Sequence, residues 1–177
     1  ECVGAMNRGG TLNIEGSCDS MLAAFQSDGR VVVERDVGDR LAMNMNGGSV
    51  TVMGSAGKDA CAGMKGGIVV VRGQASSGAG SGMSGGTLIV MGSVGPDPGL
   101  GMKGGKVIIA GSCPPPGKGS MMRSITNKEV IELEDFLEPL GLSLEEDALV
   151  LVPDEESMMG CITVSYTHLT LPTTYGV

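Results

Sequence analysis

The chain has 177 residues, of which 31 are glycine, and its formal net charge is −8. This acidic balance and the shortage of aromatic side chains disfavour nucleic-acid binding, which relies on basic residues for phosphates and on aromatic rings for bases. No run of about 18 apolar residues occurs, so the sequence predicts no membrane-spanning segment. We therefore expect neither a nucleic acid nor a membrane as a partner.

A glycine pair recurs every 19 residues, and a short β-prone run follows each pair, such as RVVVE from Arg30 and TLIVM from Thr87. About four glycines per repeat exclude a helix, since each one costs about 1 kcal/mol relative to alanine. Successive coils of one repeat would stack about 4.8 Å apart and pair their strands in parallel. The period predicts an all-β fold, a right-handed parallel β-helix (solenoid) of about six coils over residues 1–122.

Two glycine columns mark the corners of the predicted coil. At these positions the backbone is expected to take a positive φ or to pass close to the neighbouring coil. The first column is the second member of each pair and holds Gly10, Gly29, Gly48, Gly67, Gly86 and Gly105. The second column closes the β-prone run and holds Gly16, Gly54, Gly73, Gly92 and Gly111, with Arg35 as the exception.

Alternate residues of each run are expected to point into a narrow interior. A methionine column precedes the glycine pair. We interpret it as interior packing and not as a copper site, because flexible thioethers fill irregular gaps. The predicted interior residues are Val32, Val50, Val52, Val69, Val71, Leu88, Val90 and Val107, with Met45, Met64, Met83, Met102 and Met121.

The repeat fails after Met121, and a helical pattern begins. Thr126 and Glu129 have the spacing of a capping box, which predicts a helix start. Pro139 and Gly141 should end the helix, and the run ALVLVP predicts a last strand. We expect residues 123–162 to cover the open end of the solenoid, a role compatible with docking a partner subunit. The expected apolar face is Val130, Ile131, Leu133, Phe136, Leu137 and Leu140, with Glu129, Glu132, Glu134 and Asp135 toward solvent.

Residues 164–174 read VSYTHLTLPTT, which resembles the conceptual translation of a sequencing adapter. We therefore expect residues 163–177 not to belong to the folded protein and not to contribute to its fold. The chain begins at Glu1 directly before a repeat, which indicates a fragment of a longer protein. The only histidine, His168, lies in this adapter-like tail.

Without the tail, the chain lacks histidine, the commonest general acid and base. Ser17, Ser55, Ser93 and Ser112 form a column that cannot complete a serine triad, so we expect their hydroxyls to bond local turns. The five cysteines form no CxxC pair, and unpaired thiols indicate a reducing cytoplasm. We predict no catalytic, cofactor-binding or metal-binding residue in this chain.

Gly92, Gly95 and Gly99 have the form GxxGxxxG, and GMKGG from Gly101 and a β-prone run follow. A second GMKGG begins at Gly63. Over residues 4–121 this pattern resembles the GXGXG-repeat β-helix superfamily. Its members include the β-helical subunit of formylmethanofuran dehydrogenase, the tungsten or molybdenum enzyme of methanogenic archaea, and the C-terminal domain of the glutamate synthase large subunit.

The resemblance implies a right-handed β-helix and a non-catalytic role in an oxidoreductase. In formylmethanofuran dehydrogenase the subunit is a scaffold, and partner subunits carry the molybdopterin or tungsten, iron–sulfur and hydrolase centres. In glutamate synthase the domain braces the amidotransferase and synthase domains, while flavin and iron–sulfur sites lie elsewhere. We favour the first, because the solenoid fills nearly the whole chain and has its own cap; a stand-alone esterase is a weaker third alternative. The coil with Phe25, Gln26, Asp28 and Arg35 departs from the pattern, and we expect it to bulge or to face a partner.

Overall fold

A computed structural model describes residues 3–156, which form one eight-stranded sheet and one α-helix. Strands β1 to β6 are parallel neighbours in chain order, and β8 lies between β6 and β7. The predicted parallel β-solenoid with a short helix and strand at its C-terminus is confirmed. The elements are β1 (Arg8–Ile14), β2 (Asp28–Val33), β3 (Ser49–Val52), β4 (Ile68–Val71), β5 (Ser84–Val90), β6 (Gly104–Ile109), β7 (Ser120–Ser124), α1 (Asn127–Leu137), a 3-10 helix (Glu138–Leu140) and β8 (Leu149–Pro153).

Equivalent positions of successive repeats stand side by side in the sheet. Val31 pairs with Val50, and Val50 pairs with Val69, so each step of the ladder is one 19-residue repeat. A second parallel ladder of single bridges follows another side of the coil and adds to the bonding between neighbouring coils. The members of this second ladder are Cys18, Val37, Ala56, Ala75 and Val94.

The two glycine columns are glycine for different physical reasons. The first column has φ between +78° and +93°, which side chains of L-residues rarely tolerate. Gly67 also lacks space, since a Cβ there would lie 2.8 Å from Met45 Cε and 2.7 Å from the carbonyl oxygen of Gly48. In the second column, Gly73 does not have a left-handed φ. A Cβ there would nevertheless lie 2.8 Å from the carbonyl oxygen of Gly54. From the second coil onward, the first column therefore needs conformation and space, and the second needs space alone; Gly10 and Gly16 of the first coil have no described atom within 4 Å of a Cβ.

Alternate strand residues and the methionine column fill the interior. The methionine column is buried as far as Met102. The prediction for Val32 was wrong: Val31 and Val33 are fully buried, whereas Val32 points to the outer face and is partly exposed. The prediction for Met121 was also wrong, since it is 48% exposed. The chain leaves the coil before this residue, and β7 pairs with β8 instead of stacking on the methionine column.

Strand β8 closes the C-terminal edge of the solenoid. It pairs antiparallel with β6, and Leu151 stands opposite Val107 and joins the interior core. Leu151 thus occupies the interior position that another coil would supply. Strand β7 pairs with the far side of β8 and forms the end of the sheet.

Helix α1 packs on the outer face of the sheet instead of covering its open end. Leu137 of the helix lies in a second core cluster with the outward strand residues Val70, Ile89 and Ile108. The helix begins at the predicted capping box, in which the Thr126 side chain accepts from the backbone N–H of the third helical residue. Of the two predicted capping elements, the strand therefore covers the edge and the helix covers one face. Among residues 3–156, no helix has the length and apolarity needed to cross a bilayer.

Two predicted helix positions were wrong. Ile131, assigned to the apolar face, is 66% exposed, because the helix contacts the sheet through other residues of that face, such as Val130 and Leu137. Glu129, assigned to solvent, is buried, because Lys106 and Arg123 place their cations on its carboxylate.

Candidate interaction surfaces

Side-chain oxygens on one column of the coil bond the backbone of the next coil. Asp36 Oδ1 accepts from the Ser55 N–H at 2.8 Å, and Ser55 Oγ accepts from the Gln74 N–H at 3.1 Å. Ser93 Oγ accepts from the N–H and the hydroxyl of Ser112 at 3.2 and 2.8 Å. The prediction that the serine column bonds local turns was therefore wrong for Ser55, Ser93 and Ser112, since each partner lies 19 residues along the chain; for Ser17 it stays a prediction. These hydroxyls stabilise the stack.

Short polar side chains at other corners fill the space beside glycines of the next coil. Asp39 Oδ1 accepts from the Lys58 N–H at 2.8 Å and lies where a Cβ on Gly57 would be. Asn44 Oδ1 likewise occupies the place of a Cβ on Gly63. At these two positions the polar side chain of one coil therefore favours a glycine in the next, which couples the two sequences.

The described cysteines Cys18, Cys61 and Cys113 are free thiols. Burial raises the pKa of each of these thiols above its ordinary value, most of all at the fully buried Cys61, which disfavours the reactive thiolate. No cluster of three or more His, Cys, Asp or Glu that could hold a metal ion occurs within residues 3–156. Cys2, Cys161 and the adapter-like residues 163–177 lie outside the described part of the chain.

The carboxylate of Glu129 joins the helix to the sheet. It accepts two hydrogen bonds from the Arg123 guanidinium, at 2.8 and 2.6 Å, and one from Lys106 Nζ at 2.7 Å. The Thr126 backbone N–H and hydroxyl add bonds at 3.1 and 2.9 Å. The hydrogen bonds from Arg123, followed by those from Lys106 and Thr126, hold the pKa of Glu129 well below its ordinary value. This carboxylate is therefore a structural ion-pair partner and not a poised acid.

The outer edge of β7 forms an uncovered surface at the C-terminal end of the sheet. Met121 and Met122 are 48% and 40% exposed, and as neighbours in a strand their side chains lie on opposite faces. A groove beside Met121 is lined by apolar and acidic residues. Its described lining is Met121, Arg123, Val152 and Pro153, with Asp154, Glu155 and Glu156, which we call the acidic rim. Sequence reasoning missed this surface, because Met121 is in phase with the buried methionine column.

A second uncovered surface lies at the N-terminal end, where β1 has one neighbouring strand among the described residues. Met6 and Phe25 are 65% and 44% exposed, and both have left-handed φ values of 58° and 59°. Gln26 replaces methionine in the interior. Its Nε2 donates to the carbonyl oxygen of Gly29 at 2.9 Å, and its buried Oε1 has no hydrogen-bond partner among residues 3–156. The prediction that this coil faces a partner stays a prediction.

Comparison with known proteins found no relative of this chain. No protein-family model, curated protein or solved structure matches the chain. The resemblance to the GXGXG-repeat superfamily therefore rests on the residue pattern alone.

Proposed function

We propose that this chain is a non-catalytic scaffold subunit of a formylmethanofuran dehydrogenase-type oxidoreductase complex. The observation that carries the proposal is that polar side chains of the solenoid bond the neighbouring coil. Asp36, Asp39, Ser55 and Ser93 each accept a hydrogen bond from the backbone of the next coil. Groups bound in this way stiffen the stack and are not directed at a common substrate.

The surface at the C-terminal end of the sheet supports the same proposal. Among residues 3–156, β7 has a neighbouring strand on one side alone, and Met121 and Met122 are exposed. A stiff solenoid with a contact surface at this end suits a support for catalytic subunits. The metal–pterin, iron–sulfur or flavin centres of such a complex would belong to those subunits. The free thiols of the described cysteines favour the cytoplasm as its location.

Co-expression distinguishes this proposal from the glutamate synthase alternative. The full chain is produced with the molybdopterin-binding and amidohydrolase-type subunits of a formylmethanofuran dehydrogenase, and separately with the amidotransferase and synthase domains of a glutamate synthase. Size-exclusion chromatography with light scattering measures the assembled mass. We expect a complex of defined stoichiometry with the first set. Assembly with the second set alone would transfer the proposal to glutamate synthase, and assembly with neither would overturn the scaffold role.

A further inference from the structure

Strand β7 has backbone groups that no described residue bonds. The Asp154 N–H donates to the carbonyl oxygen of Gly119 at 3.0 Å, and the Ile125 N–H donates to that of Ala148 at 2.9 Å. In an antiparallel pair, residues that exchange bonds with one neighbour alternate with residues that face the other side. The odd-numbered residues of β7 therefore bond β8, and the even-numbered residues face outward.

Only some of the outward backbone groups of the even-numbered β7 residues have a hydrogen-bond partner among residues 3–156. The Ser120 N–H donates to the carbonyl oxygen of Gly117 at 3.2 Å, and the Ser124 carbonyl accepts from Arg123 Nη1 at 3.0 Å. Within residues 3–156 the Ser120 carbonyl, both backbone groups of Met122 and the Ser124 N–H remain for another strand. Such an edge is a template for strand addition.

The charge beside this edge indicates which kind of strand would bind there. Asp154, Glu155 and Glu156 rim the groove, and its one cation, Arg123, is already bound to Glu129. The exposed Met121 supplies an adaptable apolar contact. In an antiparallel pair of two β7 edges from two copies of this chain, each acidic rim would lie beside the Ser124 end of the other copy and would gain no opposite charge. A basic segment supplies that opposite charge.

We propose that the free edge of β7 binds an extended segment of a partner protein that alternates apolar and basic residues. The segment adds as a ninth strand beyond β7, with its backbone bonded to Met122 and its cations on the rim at Glu155 and Glu156. This inference rests on the scaffold function for the partner's identity, but the binding chemistry is a property of this chain alone.

Fluorescence anisotropy of a labelled peptide of alternating valine and lysine tests this binding to the full chain. Met122→Pro removes one outward N–H without changing charge, and proline is tolerated at an edge position that faces solvent. We expect the variant to lose about tenfold or more in affinity. Asn13→Pro makes the matched change on the free edge of β1 and should bind the peptide as the parent chain does. Ser124→Pro repeats the test if Met122→Pro fails to fold by circular dichroism.

Two further arms test the charge and the occupant. A peptide of alternating valine and glutamate should bind about tenfold more weakly, and Glu155→Gln with Glu156→Gln should flatten the salt dependence. Equal binding of both peptides, or unchanged binding by Met122→Pro, overturns the proposal. Self-association that Met122→Pro abolishes would assign the edge to a second copy instead. The peptide experiment uses no complex, so its failure leaves the co-expression result independent.

Discussion

The turns at residues 21–25 and at residues 78–82 follow the same backbone path with different residues. In both, three alternate residues have left-handed φ values, from 54° to 63° in the early turn and from 63° to 75° in the late turn. The bonding between coils is also the same: the Ala23 N–H donates to the Val3 carbonyl, and the Gly80 N–H donates to the Ala60 carbonyl. The early turn has Met21, Ala23 and Phe25 at these positions, and the late turn has Gly78, Gly80 and Gly82.

The difference shows that coil-to-coil bonding imposes the conformation and that local space selects the residue. A left-handed L-residue costs about 1–2 kcal/mol, so the early turn is held by its hydrogen bonds to other coils and not by residue preference. Ala23 is fully buried and its methyl group fills the interior. At Gly80 a Cβ would lie 2.5 Å from Val107 Cγ2 and 3.1 Å from Met83 Sδ, so the late interior has no space for one.

The largest expected effect comes from adding a side chain where both conformation and space require glycine. Gly67→Val should lower the free energy of unfolding by about 4 kcal/mol or more, because strain and backbone overlap combine. Gly10 has a similar φ, and no atom of residues 3–156 other than its chain neighbours lies within 4 Å of the Cβ position. Gly10→Val should therefore lose only about 1–2 kcal/mol, the strain alone. Equal losses in urea unfolding would show that space does not matter.

Removal of the Glu129 carboxylate tests what the C-terminal cap adds to the late coils. Glu129→Gln should lose about 2 kcal/mol, because Arg123 and Lys106 lose a charged acceptor but are partly exposed. Glu132→Gln is the control, since its partner Lys128 lies 3.8 Å away on an exposed surface, and it should lose a few tenths of a kcal/mol.

The same carboxylate gives the stability a pH dependence. The pKa of Glu129 is lowered on folding from an ordinary value of 4.5, so the folded state favours the ionised form. Its contribution is fully present above that ordinary value and decreases as the pH falls below it toward the lower folded pKa. Thermal unfolding of the parent chain and Glu129→Gln should therefore converge as the pH falls below about 4.5. A difference that grows on acidification would contradict the assignment.

An intermediate effect should separate strain from the coupling between neighbouring coils. Gly63→Ala is expected to lose about 2 kcal/mol, from its left-handed φ of 65° and from contact with Asn44 Oδ1. Asn44→Gly in the same chain should recover about 1 kcal/mol, which a double-mutant cycle measures as coupling. Gly82→Ala is the control, since its nearest neighbour would lie at 3.9 Å. Additive losses at Asn44 and Gly63 would refute the coupling.

The smallest effect should be a gain. Arg40 is exposed and has a left-handed φ of 59°, and its equivalent in the late turn is Gly78. Arg40→Gly should raise the free energy of unfolding by about 0.5 kcal/mol, since relief of strain outweighs the added entropy of the unfolded chain. Arg72→Gly, at an exposed position without a left-handed φ, should lose a similar amount. A loss at Arg40 would show that its side chain stabilises the turn.

Local patterns were sufficient for the repeat, the strands and the capped start of the helix. Periodic glycines identified the coil, and Thr126 with Glu129 identified the helix start. Periodicity failed at Val32, because three consecutive valines in β2 do not show which of them point inward. It failed at Met121, because a residue in phase with the repeat keeps its pattern after the chain has left the coil. Left-handed residues such as Ala23 carry no sequence signal, since their conformation comes from the bonds of other coils.

The sequence by itself determined the solenoid, because a fixed 19-residue period of glycines and β-prone runs leaves parallel stacking as the way to bury each coil. The tertiary structure alone decided how that stack ends. Leu151 enters the interior beside Val107, and Glu129 becomes buried between Lys106 and Arg123. These contacts join residues far apart in the chain or outside the repeat, so no periodic pattern records them. The same folding places β7 at the end of the sheet, where no strand of residues 3–156 pairs with its outer edge.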